Sequence, residues 1–206
     1  MKIPVFVLSL VPVLLLGLKA LNGDLGANPI EFVTHWTGDW TIRFLCITLA
    51  ITPLRKLVGL PELIRFRRML GLFGFFYACL HFTTWFMLDK FFDWNEIAKD
   101  AVKRPFITAG FTAFVLLIPL AITSTSGWIR RLGGKRWQLL HRLIYVSACA
   151  GTVHYYWLVK SDIRLPLLYG AIVTVLLAYR VVPNRMKRHR LASPAAVPGQ
   201  PRRPAA

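Results

Sequence analysis

Residues 69–88 read MLGLFGFFYACLHFTTWFML, twenty consecutive positions that carry no charge and contain one histidine, His81. A helix needs about 20 apolar residues to cross the hydrocarbon core of a bilayer, and this stretch has that length. The whole chain agrees, because 55% of its 206 residues are hydrophobic and 17% are charged, against roughly 25% charged in soluble domains. The sequence therefore predicts an integral membrane protein and excludes a soluble domain.

Five further apolar runs have a similar length. Asp39 and Arg43 interrupt the second run, and Arg180 lies near the end of the last. Helices satisfy their backbone polar groups internally, as hydrocarbon requires. We predict an all-α fold, a polytopic six-helix transmembrane bundle over residues 1–182, with spans at about 3–20, 38–57, 69–88, 105–123, 139–159 and 165–182.

The charges set the orientation of the bundle. The side that carries both termini holds 17 Lys and Arg residues and the other side 7, together with eight of the nine acids. The positive-inside rule therefore places both termini in the cytoplasm. Nucleic-acid binding is excluded despite the net charge of +17, because the basic residues fall between apolar runs and not on a polar face.

The two ends of the chain carry separate signals. The first apolar run lacks a small-x-small cleavage site and is followed by Lys19, so it is interpreted as a span and not as a cleaved signal peptide. Residues 183–206 are rich in Arg, Lys and Pro. We expect them to form a disordered cytoplasmic tail near anionic membrane lipid.

Two histidines within the spans have matching depths. His81 lies about 18 Å from the cytoplasmic end of the third span, and His154 about 22 Å from that of the fifth. Ionisable residues at such depth default to a functional interpretation. Two imidazoles at one level on separate helices are suited to be the axial ligands of a b-type heme iron. The alternative is that each histidine only forms a helix–helix hydrogen bond.

His141 predicts a second redox centre nearer the cytoplasm. On a continuous helix it would lie about 20 Å below His154, with the two side chains about 140° apart. No histidine occupies the position near Arg68 that would pair with it. The number of hemes, one or two, therefore remains open. A lower heme would be bound by His141 alone or by His141 and an unusual partner. His35 and His189 are interpreted as solvated bystanders.

Three arginines are candidates for a heme propionate or a flavin phosphate, because guanidinium groups bind such anions bidentately. They are Arg43 inside the second span, Arg68, and Arg142 beside His141. The alternatives are snorkelling for Arg43 and a purely topological role for the other two. The three cysteines fall inside spans and are expected to be free. Because no Cys-x-x-Cys-His occurs, any heme would be held without thioether bonds.

Missing motifs limit the chemistry. The chain has no Gly-x-Gly-x-x-Gly, no P-loop and no His-Glu-x-x-His, and no polar stretch is long enough for a nucleotide-binding domain. If the protein moves electrons, a separate donor must therefore supply them.

The combination of several stretches resembles a known family. They are RRMLGL at 67–72, Tyr77 to His81, Thr123-Ser124, WQLLHRLIY at 137–145 and HYYW at 154–157. Together they are similar to the heme-binding membrane subunits of periplasmic protein-methionine-sulfoxide reductase systems, which belong with the ferric-reductase-like transmembrane proteins. The likeness covers nearly the whole chain except the tail.

The resemblance implies b-type heme, with FMN as a further cofactor, in the bacterial inner membrane. It implies electrons from the quinone pool or a cytosolic flavin reductase, and a periplasmic molybdopterin subunit that reduces methionine sulfoxide. His81, His141 and His154 match the heme-ligand histidines of the family. The related NADPH oxidases have four such histidines and a cytosolic dehydrogenase domain, whereas this chain lacks one histidine and the domain.

Three functions remain open from the sequence. The first is an electron conduit that delivers electrons to a periplasmic partner. The acidic residues of its outer loop either help to dock that partner or are only solvated charges: Asp89, Asp93, Glu96 and Asp100. The second is a cofactor-free transporter that uses the histidines as a proton relay. The third is a structural anchor for a soluble partner.

Overall fold

The computed structural model describes the backbone of residues 2–192 and the side chains of residues 2–180. Within that part the fold is all-α, as predicted, and contains no strand. Its helices are α1 (Lys2–Leu21), α2 (Pro29–Val58), α3 (Ile64–Thr83), α4 (Trp94–Lys103), α5 (Pro105–Ile122), α6 (Ser126–Leu132), α7 (Gly134–Leu140), α8 (Leu143–Leu158) and α9 (Arg164–Ala192). A 3₁₀ turn, Pro61–Leu63, precedes α3, and a π-helical turn, Thr84–Asp89, follows it.

Six of these helices are long, and each overlaps one predicted span. Three stretches of the described chain are long and apolar enough to cross a membrane: Lys2–Leu21, Pro61–Asp89 and Pro105–Ile122. The prediction of a polytopic helical membrane protein is confirmed, and the membrane limits of each span stay predictions. Helix α9 continues to Ala192, and the rest of the predicted disordered tail lies outside the described residues.

Two pairs of helices make the most extensive contacts, α2 with α3 and α5 with α8. Both α2 and α5 begin with proline, which suits the first helical turn because the missing N–H would have no partner there. Side chains of α2, α3, α5, α8 and α9 form one apolar core. The three cysteines are free, as the sequence predicted.

Tyr77 joins α3 to α1. Its side chain is fully buried, and its hydroxyl donates to the Ser9 carbonyl at 2.8 Å and accepts from the Val13 N–H at 3.2 Å. Ser9 and Val13 are four residues apart and would pair with each other in an uninterrupted helix. The phenol therefore inserts into the hydrogen-bond ladder of α1.

The chain turns between α7 and α8. Helix α7 ends at Leu140 and α8 begins at Leu143, so His141 and Arg142 form the turn between them. The prediction that His141 and His154 share one helix is therefore wrong. The His141 ring stacks on Trp137 with ring centres 3.9 Å apart, a contact that holds this turn. The 140° separation expected on one continuous helix does not apply.

The acidic loop between α3 and α5 is organised by Lys90. Its ammonium lies 2.7 Å from Asp100, 3.0 Å from Glu96 and 3.5 Å from Asp89. Burial lowers the pKa of Lys90, but the bonds to Asp100 and Glu96 outweigh it and raise the pKa above its usual value. Asp93 caps α4 by accepting from two backbone N–H groups. The four acids considered for docking thus all have local structural partners.

Candidate functional site: a facing pair of histidines

Four helix ends meet at one side of the bundle. The cavity there is lined by residues 34–45 of α2, 106–117 of α5, 78–82 of α3 with Trp85 of the following π-helical turn, and 147–158 of α8. Its volume is about 180 Å³, and its walls are mostly apolar. His81 of α3 and His154 of α8 both line it, which agrees with the equal depth deduced from the sequence.

The two imidazoles face each other across this cavity. Their ring centres are 6.0 Å apart, and the ring planes are inclined by 75°. Two imidazoles bound to one metal ion, each at about 2 Å, have ring centres roughly 6 Å apart. The separation therefore fits a single iron between the two rings.

Each imidazole is oriented by a backbone carbonyl of a neighbouring helix. His81 Nδ1 lies 2.9 Å from the Thr34 oxygen of α2, and His154 Nδ1 lies 2.7 Å from the Phe106 oxygen of α5. A carbonyl oxygen only accepts, so each Nδ1 carries the hydrogen and each Nε2 keeps a free lone pair. Histidines that bind metals are commonly oriented in this way. The chemistry of the two donors thus fits a heme iron.

Aromatic rings form part of the wall. Phe82 stacks on Phe114 with ring centres 4.7 Å apart, and Phe114 stacks on Phe75 at 6.0 Å. Phe82 and Phe114 line the cavity, and such flat apolar surfaces suit a porphyrin. The aromatic run of the third span is only partly used here, since Phe73 and Tyr77 pack against α1 and α2 instead.

Arg43 has a partner within the protein. Its Nε donates to the Tyr169 hydroxyl at 3.0 Å, and its Nη2 lies 3.4 Å from Asp39 Oδ2. Asp39 lines the cavity, whereas Arg43 does not. An intramembrane arginine needs an anion, and here a carboxylate four residues away supplies it. Sequence analysis missed this pairing, although the spacing of four on a helix would have indicated it.

His141 lies apart from the facing histidines, since it does not line their cavity. The Thr123 hydroxyl donates to the Pro119 carbonyl at 2.6 Å, so His141 Nε2, 3.1 Å away, is the donor in the contact between the two side chains. Nδ1 of His141 is then the nitrogen with a free lone pair. The described side chains bring no second histidine to this nitrogen.

The remaining predicted arginines lie at the surface. Arg68 and Arg142 are exposed, and neither forms an ion pair with the described side chains. Arg180, which lies near the end of the last apolar run, donates from Nη2 to the Leu49 carbonyl at 2.7 Å. Its guanidinium also lies 5.0 Å from the centre of the Tyr145 ring.

The all-α membrane fold and the facing histidines together suit a helical membrane protein that binds heme. A comparison with known families agrees with this class. Residues 37–152 match the family described as ferric reductase like transmembrane component. This match includes His81, leaves out residues 29–36 of α2 and residues 153–158 of α8, and stops two residues before His154.

Several relatives match over most of the chain. The protein-methionine-sulfoxide reductase heme-binding subunit MsrQ of Herminiimonas arsenicoxydans is 61% identical over 191 residues, 92% of this chain and 88% of that one. The MsrQ subunit of Ralstonia nicotianae is 53% identical over 87% of this chain and 84% of its own length. That of Rhodospirillum rubrum is 50% identical over 94% and 93%. Within the ferric-reductase-like class, the chain belongs to the MsrQ family.

Proposed function

We propose that this chain binds a b-type heme between His81 and His154 and carries electrons across the bacterial inner membrane. The observation that carries the proposal is the facing pair, with ring centres 6.0 Å apart and each Nδ1 hydrogen-bonded to a carbonyl. The heme would supply a one-electron carrier in an apolar site. His81 and His154 would hold it through Nε2, since Nδ1 of each is hydrogen-bonded to a carbonyl.

The electrons leave on the periplasmic side. The relatives are named as heme-binding subunits of a protein-methionine-sulfoxide reductase, and the facing histidines lie at the end of the bundle that the charge pattern places outside. The recipient is a periplasmic molybdopterin-containing catalytic subunit. Reduction of one sulfoxide to a thioether and water consumes two electrons and two protons, so two transfers serve each repair.

The electrons enter from the cytoplasmic side, from the quinone pool or a cytosolic flavin reductase. His141 lies at that end of the bundle, near the basic residues Arg67 and Arg142. A second heme, or FMN as the resemblance implies, would bind there, with His141 Nδ1 as an available ligand and guanidinium groups suited to phosphate or propionate. Both termini are placed in the cytoplasm by the same charge pattern.

Spectra of the purified full-length protein test the proposal. We expect a low-spin heme spectrum that changes on reduction by dithionite, and its loss or conversion to high spin in His81→Ala and in His154→Ala. His189→Ala, the same substitution in the tail, is the matched control and should leave the spectrum unchanged. A colourless protein, isolated after expression with sufficient heme, would instead favour a proton relay or an anchor.

A further inference from the structure

The two facing histidines rest on their neighbouring helices in the same way. His81 is hydrogen-bonded to the carbonyl of Thr34, and its ring covers Gly38, four residues further along α2. His154 is hydrogen-bonded to the carbonyl of Phe106, and its ring covers Gly110, four residues further along α5. We call Thr34–Gly38 and Phe106–Gly110 the carbonyl–glycine pairs.

Helix geometry explains why a glycine follows each carbonyl by four residues. In an α-helix every Cα–Cβ bond is tilted toward the N-terminus, so a side chain covers the turn that precedes it. A side chain at either glycine would therefore cover the carbonyl that the histidine uses. Glycine at this position costs about 1 kcal/mol of helix propensity relative to alanine, and leaves that carbonyl open to the histidine as a further donor.

The distances show how little space a methyl group would have. A Cβ built on Gly110 would lie 2.6 Å from His154 Nδ1 and 2.9 Å from its Cε1. A Cβ on Gly38 would lie 3.0 Å from His81 Cε1 and 3.1 Å from its Nδ1. Both contacts fall on the atoms of the ring edge that faces the carbonyl, so a methyl group would displace the imidazole from its hydrogen bond.

Other glycines at helix contacts differ from these two. Gly71 would bring a Cβ to 3.5 Å from Thr48, and Gly74 to 3.5 Å from Leu45, which are ordinary van der Waals distances. Among the described glycines, only Gly38 and Gly110 would place a Cβ within 3.1 Å of another side chain. Their requirement for glycine therefore comes from the histidine rings and not from general helix packing.

We infer that Gly38 and Gly110 are positioning residues. By leaving the Thr34 and Phe106 carbonyls open to the two imidazoles, they fix the Nδ1–H tautomer of each ring and direct its Nε2 into the cavity. The inference rests on the proposed function for the identity of the metal group, but the hydrogen bonds belong to the chain alone. A hydrogen bond from Nδ1 strengthens the ligand, so the glycines also influence the reduction potential of the iron.

The test compares Gly110→Ala and Gly38→Ala with Gly74→Ala in the heme-loaded, full-length protein. We expect Gly110→Ala to lose low-spin heme or convert it to high spin, because its methyl group has the least space. Gly38→Ala should retain more heme and show a higher midpoint potential than the wild type, since a weakened Nδ1 hydrogen bond makes His81 a poorer donor. Gly74→Ala should keep the wild-type spectrum and potential.

Histidine ¹⁵N NMR spectra of the full chain without heme separate this inference from the proposed function. The wild type should show the Nδ1–H tautomer at His81 and His154, and each glycine substitution should alter the signal of its own histidine. Wild-type tautomers and spectra in both glycine variants would overturn the inference, and so would an equal spectral change in Gly74→Ala. If Gly110→Ala does not fold, Gly38→Ala decides. A wild type that shows these tautomers but binds no added heme would contradict the proposed function alone.

Discussion

Replacing His81 and His154 by alanine, singly and together, measures whether the two side chains act on one iron. Their ring centres are 6.0 Å apart, and both side chains are half-buried where four helices meet. If they share an iron, either substitution leaves the same defect, a heme with one protein ligand in a site built for two. The second substitution then removes a ligand from a site that has already failed.

The size of the effect follows from this coupling. Groups in direct contact show coupling free energies of about 0.5–3 kcal/mol, and two ligands on one metal ion should lie at the upper end. A loss of about 2.7 kcal/mol corresponds to roughly a 100-fold lower heme affinity for each single variant. If the two sites were independent, the losses of heme affinity would multiply to about 10⁴-fold in the double variant. If they share an iron, the loss in the double variant stays near 100-fold.

The assay is heme titration of the purified variants, with reduced-minus-oxidised spectra. His141→Ala is the comparison, because its ring lies outside the cavity that the other two line. It should leave the low-spin spectrum of the outer heme largely intact while slowing reduction from the cytoplasmic side. A normal low-spin heme in His81→Ala, together with its loss in His154→Ala, would refute the pairing and return His81 to a helix-packing role.

Three further predictions concern topology, electron supply and the outer loop. Alkaline phosphatase fused after Lys99 should be active and after Arg190 inactive; the opposite pattern would invert the bundle. NADH or NADPH alone should not reduce the purified protein, because the sequence has no nucleotide-binding fingerprint. A quinol or a flavin reductase should be required. Rapid reduction by NADH or NADPH without added reductase would contradict this prediction. Lys90→Met should destabilise the outer loop by about 3 kcal/mol and expose it to proteolysis, unlike Lys99→Met on the exposed face of α4. The pKa of Lys90 is raised in the folded protein. The stabilisation that Lys90 gives is therefore complete below its ordinary pKa of 10.5 and is lost as the pH rises through the higher folded pKa. Proteolytic cleavage of the wild type should thus increase only in strongly alkaline buffer.

The depth of the two histidines could be predicted from the sequence because helix rise is constant. Counting residues from the charged ends of two spans placed His81 and His154 within about 4 Å of the same level, and the structure places their rings together. Membrane helices allow this inference because the bilayer fixes where each span begins. The helical class followed from the same apolar runs.

The break before α8 could not be predicted from hydrophobicity, because apolar residues lie on both sides of His141 and Arg142 and no proline or glycine occurs between Trp137 and Leu143. What sets the turn is tertiary: the stacking of His141 on Trp137 and its hydrogen bond to Thr123. The partner of Arg43 was missed for a different reason. Asp39 was regarded as an interruption of an apolar run, and its spacing of four from Arg43 was not used.

The carbonyl–glycine pairs were also missed, yet they follow from a pattern that the sequence contains. Thr34 and His81 are 47 residues apart, and Phe106 and His154 are 48 apart. In both cases the first helix begins at the outer side of the bundle and its partner ends there, so a carbonyl in an early turn meets a histidine in a late one. Two helix pairs, α2 with α3 and α5 with α8, thus present the same arrangement to one cavity from opposite sides. A glycine four residues after the carbonyl is needed in each, because a side chain there would take the place of the imidazole. The spacings are nearly equal although the connections differ, since one 3₁₀ turn joins α2 to α3 whereas α6 and α7 lie between α5 and α8. What the two helix pairs share is therefore local: a carbonyl, and a glycine four residues later, opposite each histidine.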